Sequence, residues 1–439
     1  MIDKIVIQEK TDEIVNIDSI VQMNNVEQIS GAEQMNSTEQ MNSAEQISST
    51  EQHTSTGKMN STERYLRDRA WIELDRGALA SNLHYLQSRL PDSCQMMPAV
   101  KAEAYGHGAV LIAKELNRLG IDAFCVACVE EAINLREQGV QGKLLILGYT
   151  HPKNFRLLKQ YDLSQTVVDY AYAKLLNQAG ELVKVHLGID TGMHRLGVRC
   201  ENLEEIKEIY DMPNLEIEGM FTHLPADDTL APEDYAFTMA QVNEFQRVVD
   251  YLKRMGYRQP RVHLLASYGI LNYPQFAGDY ARVGIALYGV LSTKADSECW
   301  SDHLTPVLSL KARVASVREL HRGECAGYGM AFTAEKEMKI ATLAIGYADG
   351  LPRSLSNGVG EVLINGHRAP IIGRICMDQT IVDISTIPDT ECKDVAVLIG
   401  QSGTEQITAG DLAQRADTIT NEILSRLGSR LPRVIISNS

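Results

Sequence analysis

The stretch Gln95-Met-Met-Pro-Ala-Val-Lys-Ala-Glu-Ala-Tyr-Gly-His-Gly108 holds the first complete structural unit of the chain. It opens as a short apolar run of strand character and closes as a glycine-punctuated loop, and residues 109–119 then carry apolar side chains at helical spacing. The same unit recurs downstream. Strands are expected at 95–102, 123–129, 143–149, 164–169, 182–189, 217–223, 261–267 and, weakly, 280–283, with helix-like segments such as 109–119, 130–137, 202–210 and 237–255 between them. Eight strand–helix repeats in succession are what a (β/α)8 barrel of the TIM type requires. A doubly wound open sheet is the rival, but no G-x-G-x-x-G follows the first strand.

Working outward, the helical alternation stops after residue 304. Residues 308–319, 339–345, 360–364, 369–375, 379–384 and 394–399 are strand-like, with Asn365-Gly366 as a hairpin signal. A smaller mostly-β domain over 305–439 is expected, with one helix at 409–426 and a last strand near 433–436. The barrel is assigned to 65–304. An alternating strand at 68–75 precedes it, and its place is open between the barrel and the β domain.

Residues 1–64 differ from the rest. From Val21 to Thr62 a six-residue unit recurs seven times, as in Glu33-Gln-Met-Asn-Ser-Thr38 and Glu45-Gln-Ile-Ser-Ser-Thr50. Most units offer one sizeable apolar side chain, too little to offset the entropy of ordering, so a disordered polar tail is expected. It carries eleven acidic and four basic residues, almost half of the net charge of −15. That charge disfavours nucleic-acid and anionic-membrane partners. No run of 18 apolar residues and no secretory or transit pattern occurs in the 439 residues, so a cytoplasmic protein without a membrane span is expected. Eight scattered cysteines in such a chain do not read as a disulfide framework. Cys125-Val-Ala-Cys128 lies on a strand, where the two thiols face opposite sides, and no second pair completes a zinc site.

Barrel enzymes place their chemistry at the C-terminal ends of the strands, and the first strand ends at Lys101. Desolvation there lowers a lysine's pKa and leaves a neutral amine able to condense with an aldehyde. On its own, Lys101 is equally consistent with a structural lysine.

Lys101 with Tyr105-Gly-His-Gly108 resembles the pyridoxal-phosphate lysine motif of bacterial alanine racemases. The resemblance covers nearly all of 68–439. It also rests on Ile189-Asp-Thr-Gly-Met-His-Arg-Leu-Gly197, Phe221-Thr-His223, Arg282-Val-Gly-Ile285, Gly327-Tyr-Gly329, Ile345-Gly-Tyr-Ala-Asp-Gly350, Gly373-Arg-Ile-Cys-Met-Asp-Gln379 and Arg430-Leu-Pro-Arg433. It implies that Lys101 would hold pyridoxal 5'-phosphate covalently and act as one base, with Tyr328 of a second subunit as the other. Two bases are needed because inversion takes a proton from one face and returns one to the other. Arg195 would bind the substrate carboxylate and lower the pKa of Tyr328, and the Met377 backbone N–H of the second subunit would touch the same carboxylate. Tyr105, Ser267, Gly284 and Ile285 would cradle the phosphate, Arg282 would face the pyridine nitrogen with His263 bracing it, and His223 and Tyr347 would line the site. A homodimer with shared active sites and no metal follows from the same resemblance.

Three departures from the family pattern stand out. Glu103 replaces an Asn or Asp. Gly188 stands where many members carry a carbamylated lysine that braces the arginine. Asn421, in Ile419-Thr-Asn-Glu-Ile423, replaces a tyrosine near the substrate. With Met193-His-Arg195 and Ser267-Tyr-Gly-Ile-Leu-Asn-Tyr273, the last exchange is closer to the serine racemase domains of vancomycin-resistance proteins. Those are normally preceded by a transmembrane half, so the resemblance covers the catalytic half only, and membrane-linked serine uptake is not expected. The expected activity is interconversion of L- and D-serine and of L- and D-alanine, supplying D-amino acid for peptidoglycan precursors. A strict alanine racemase, a barrel-type amino-acid decarboxylase and a non-catalytic cofactor-binding protein are the alternatives.

Overall fold

The computed structural model describes residues 67–437, all within one compact unit, Met59–Ser439. The hexapeptide-repeat tail expected at 1–64 lies outside the described residues. Six parallel strands follow one another in the order Ala123–Val126, Lys143–Ile146, Ser164–Val167, Val183–Asp190, Leu215–Phe221 and Arg261–His263. Tyr280–Ala281 and Gln95–Met96 form a further parallel pair. Backbone bonds close the ring on both sides of that pair. Asp279 N donates to Val262 O at 2.7 Å and Arg282 N to Leu265 O at 2.9 Å, while Val100 N donates to Cys125 O at 2.9 Å and Cys125 N to Pro98 O at 2.8 Å. A (β/α)8 barrel followed by a smaller β domain is the result.

The local reasons are visible in the sequence. Ala123–Val126 and Ser164–Val167 are buried along their whole length, as parallel strands covered on both faces must be. The helices each turn a narrow apolar stripe inward, such as Ile206 and Ile209 of Leu203–Tyr210. Asp75 and Asp169 start theirs by accepting from Ala78 N and Tyr172 N.

The strand at Ala70–Asp75 lies in the C-terminal sheet. It pairs antiparallel with Leu308–Leu320 and parallel with Arg433–Ile436, with Ile72 opposite both Leu310 and Arg433. Leu308–Leu320 is 13 residues long and shifts register between Val314 and Ser316, which lets its second half pair with Met338–Leu343. The single helix expected at 409–426 is two, Ala409–Arg415 and Thr420–Ser425. The chain breaks at Asp417, whose φ of 56° is left-handed, a conformation that aspartate tolerates better than most residues. No helix among the described residues is long and apolar enough to cross a membrane.

The two parts interlock at one loop. The Arg433 guanidinium donates to Gly106 O from Nε at 3.2 Å and Nη2 at 3.0 Å, and its other N–H groups reach Leu427, Gly428 and Leu431 carbonyls. A Cβ on Gly106 would lie 1.9 Å from Leu424 O, so only glycine permits this approach.

Candidate active site

Lys101 does not end a continuous strand. Ladder pairing stops at Met96 with one further bridge at Ala99, and Ala102, Glu103, Ala104 and Tyr105 all take φ of 50° to 54°. Four consecutive non-glycine residues thus form a left-handed turn, closed by Ala104 N to Val100 O at 2.9 Å and Gly106 N to Ala102 O at 3.0 Å. The Glu131 carboxylate clamps the turn to the next strand end by accepting from Ala102 N and Ala127 N, both at 2.7 Å. Glu103 accepts from Ala109 N at 3.0 Å, caps the following helix where Gly108 has no side chain to do so, and leaves the site free. Lys101 itself is half-buried. Burial lowers its pKa, and the nearby Arg195 charge lowers it further.

Lys101 opens into a cavity of about 720 Å³. Tyr105, Arg195, His223, Ser267, Arg282, Gly284, Ile285 and Asn421 line the same space. At one end the Ser267 hydroxyl accepts from Gly284 N at 3.0 Å and from Ala286 N at 3.2 Å. A Cβ at Gly284 would meet the Tyr105 hydroxyl at 2.7 Å. Burial pushes that hydroxyl up to about 12, so it remains a donor at neutral pH. Glycine at 284 keeps open a small pocket rimmed by neutral donors, which suits a phosphate group.

Arg282 is buried and spends four N–H groups on protein. Nη1 donates to His263 Nδ1 at 2.7 Å and to His263 O at 2.9 Å, and Nη2 to Thr222 O at 2.8 Å and Leu264 O at 3.1 Å. The Nε–H is the donor that remains. Burial lowers its pKa to about 10, so the group stays charged at neutral pH. Because arginine only donates, His263 Nδ1 is an acceptor and Nε2 carries the proton, donated to His186 Nδ1 at 2.8 Å. His186 lies on the Val183–Asp190 strand and was not singled out from sequence. Both imidazoles are held neutral by burial, His186 at about 3 and His263 well below its ordinary value. His223 is also pushed down to about 3, by burial and then by Arg282.

Among the described residues Arg195 has no hydrogen-bond or ion-pair partner. Its loop is set by the Asp190 carboxylate, which accepts from Gly192 N at 3.1 Å and from His194 N and Nδ1, both at 2.9 Å. Gly188 offers no brace, and a Cβ there would sit 3.2 Å from Val167 O. Asn421 Oδ1 is buried and has no hydrogen-bond partner among the described residues.

Tyr328 and Met377 are elsewhere on the chain. They line a separate depression with Gly327, Cys376, Asp378 and Gln379, and are 69% and 53% exposed. Tyr347 is bound to the same loop through Tyr347 N to Cys376 O at 3.0 Å. The chain alone therefore brings the Lys101 group together and leaves the Tyr328 group facing outward. Sequence reasoning also missed Asp227, a buried carboxyl on the cavity wall, because Asp227-Asp228 in a polar loop reads as solvated.

Residues 74–292 match the family model of the alanine racemase N-terminal domain, and residues 307–435 that of the alanine racemase C-terminal domain. The chain belongs to the alanine racemase family. An amino-acid racemase of Enterococcus faecalis is 42% identical over 364 residues, 83% of this chain and 51% of that protein. A serine/alanine racemase of Enterococcus gallinarum is 38% identical over 364 residues, with the same shares of 83% and 51%. The chain spans about half the length of these two relatives. Among solved structures, the alanine racemase of Bartonella henselae with covalently bound pyridoxal phosphate superposes with a TM-score of 0.72 at 30% identity, covering 84% of this chain and 99% of that one. Alanine racemases are isomerases, and the cofactor of the family is pyridoxal phosphate. Here Lys101, the Gly284 cradle and the remaining Arg282 donor fit the aldehyde, the phosphate and the ring nitrogen of that cofactor.

Proposed function

We propose that the chain is a pyridoxal-phosphate-dependent racemase that interconverts the L and D forms of serine and of alanine. The observation that carries this reading is the placement of the half-buried Lys101 and a cradle of neutral donors in one cavity with Arg195, which is unpaired among the described residues. Bound there, pyridoxal phosphate supplies an electron sink that acidifies the hydrogen on the α-carbon of an attached amino acid.

The protein's own groups do the rest. Arg195, with no carboxylate partner among the described residues, binds the substrate carboxylate and fixes which bond faces Lys101. Lys101 Nζ, its pKa lowered by burial, moves a proton on one face. The hydroxyl of Tyr328 from a second copy of the chain serves the opposite face, with Met377 N–H beside the carboxylate, so the active unit is a homodimer. Tyr105, Ser267, Gly284 and Ile285 would hold the phosphate, and His223, with Tyr347 of the second copy, borders the substrate. Arg282, itself braced by His263, faces the ring nitrogen with a donor that keeps its proton.

The unpaired Oδ1 of Asn421 supports the serine half of the reading, since a buried acceptor in the cavity wall suits a hydroxymethyl group. A strict alanine racemase is the second reading, favoured by the match of both halves to families named for alanine. The physiological role we propose is cytoplasmic supply of D-amino acid for peptidoglycan precursors, in a vancomycin-resistance setting if D-serine is made. Incubating the purified chain with each L-amino acid and following D-product tests the proposal. D-serine and D-alanine are both expected. Release of carbon dioxide, or no D-product from either substrate, would overturn it.

A further inference from the structure

Asp227 is only 6% exposed and lines the same cavity as Lys101 and the phosphate cradle. Among the described residues its Oδ2 has no hydrogen-bond partner within bonding geometry, the Gly269 and Asp227 N–H groups being the polar groups that face the carboxyl, and no lysine or arginine forms a salt bridge with it. The carboxyl packs against the segment that begins with Ser267: a Cβ on Gly269 would lie 3.0 Å from Oδ2. An ionised carboxylate left unpaired in such a place is costly.

We propose that Asp227 is a phosphate-side ligand of the cofactor, carrying a proton while the phosphate is bound and donating it to a phosphate oxygen. This rests on the pyridoxal-phosphate reading and adds a residue to it. The cradle's other donors, the Tyr105 and Ser267 hydroxyls, are both neutral, and neither offsets the charge of the phosphate monoester. A second carboxylate charge beside it would repel it, whereas a neutral carboxyl contributes a short O–H···O⁻ bond. The groups facing Asp227 are Asp228, Arg282, Tyr273 and the N–H groups of Gly269 and of Asp227 itself. Burial first, and then Asp228, push the free carboxyl up to about 7 against the opposing pull of Arg282 and the two amides. An arriving phosphate pushes it further in the same direction, so the proton enters with the cofactor.

Calorimetric titration of the full chain, freed of cofactor, in buffers of different ionisation enthalpy tests this. Pyridoxal 5'-phosphate and pyridoxal are compared at about pH 8, above the ordinary range of both a carboxyl and a phosphate monoester. Both ligands engage Lys101 alike, so protons linked to that step cancel in the comparison. The wild-type chain is expected to take up close to one more proton with the phosphorylated ligand, and its preference for that ligand is expected to fall about tenfold per pH unit above neutrality. Asp227→Asn keeps a donor but cannot titrate, and is expected to abolish both the extra proton and the slope. Equal uptake for the two ligands, a comparison that needs no variant, would overturn the proposal. So would an Asp227→Asn variant with undiminished uptake, which would place the proton on the phosphate. Absence of any Lys101-linked absorbance band with wild-type chain would instead mark failure of the cofactor reading itself.

Discussion

Arg282 donates through Nη1 to Nδ1 of His263 at 2.7 Å, and this one bond orients protons on two histidines. The acceptor at His263 Nδ1 forces the proton to Nε2, which in turn makes His186 Nδ1 an acceptor. A positive His263 would need a proton where the guanidinium already points. The pair is therefore locked neutral by its neighbour's inability to accept.

Stability should consequently fall as the pH drops below the ordinary histidine range. His107 is held at about 4, His186 and His223 at about 3, and His263 well below its ordinary value, all chiefly by burial. Folded values lie below the unfolded value of about 6.5, so the unfolded chain binds more protons and gains at the fold's expense as the pH falls. Asp227, raised by burial, and His321, raised by its hydrogen bond to Glu337, act in the opposite sense, but they are two groups against four. The unfolding free energy of the cofactor-free chain from urea titration between about pH 6.5 and 5, a window above most carboxylate titration, should decline with decreasing pH by up to about 1.4 kcal/mol per pH unit for each net proton. A flat profile would mean that the folded chain protonates these rings.

Gly106→Ala should release the cofactor. The new Cβ would fall 1.9 Å from Leu424 O at a residue whose φ is 82°, so backbone must move on one side of the contact. The left-handed turn at Lys101 shares that backbone. Loss of the bound-cofactor absorbance at ambient temperature, with far-UV circular dichroism retained, is the expected outcome. A variant that binds cofactor as tightly as wild type would show the contact to be incidental.

Lys101→Ala and Tyr328→Phe should each abolish or strongly depress racemisation, for different reasons. The first should also lose the absorbance band, whereas the second should keep it and slow proton exchange chiefly from the L-enantiomer. Because Tyr328 lies outside the Lys101 cavity of its own chain, mixing the two inactive variants should restore activity in heterodimers with one intact site. Absence of rescue in verified heterodimers would place both bases within one chain.

Asn421→Tyr should shift preference from serine towards alanine. The asparagine brings an unpaired Oδ1 to the cavity wall, while a tyrosine ring fills that space and presents a largely apolar surface. Loss of one such contact is worth about 1–3 kcal/mol, so the ratio of kcat/KM for serine to that for alanine should fall by roughly 10–100-fold. An unchanged ratio would place the selectivity at other residues.

The parts legible in the sequence were those governed by period and punctuation. Eight strand-like runs marked the barrel, and the motif residues at their ends gathered in one cavity. Tertiary contacts decided what was not legible. The run of Ala102, Glu103, Ala104 and Tyr105 carries no glycine to announce its left-handed turn, which Glu131 and Arg433 impose from distant elements. Ala70–Asp75 alternates like any edge strand, and only its partners at Leu308–Leu320 and Arg433–Ile436 fix its sheet. His186 and Asp227 escaped notice because burial, not residue type, gives them their chemistry.

Arg433 also sets a schedule. It holds the carbonyl of Gly106, and its neighbours in the chain complete the pairing of a strand laid down at Ala70–Asp75. Synthesis runs from the other end, so most of the barrel is made before either contact exists. Each left-handed residue in the Lys101 turn costs roughly 1–2 kcal/mol, a cost that Glu131 opposes from within the barrel and the Leu424 and Arg433 segments oppose only later. The lysine-bearing turn is thus translated more than 300 residues ahead of the arginine that grips its closing glycine, so its final support is a contact of long sequence separation.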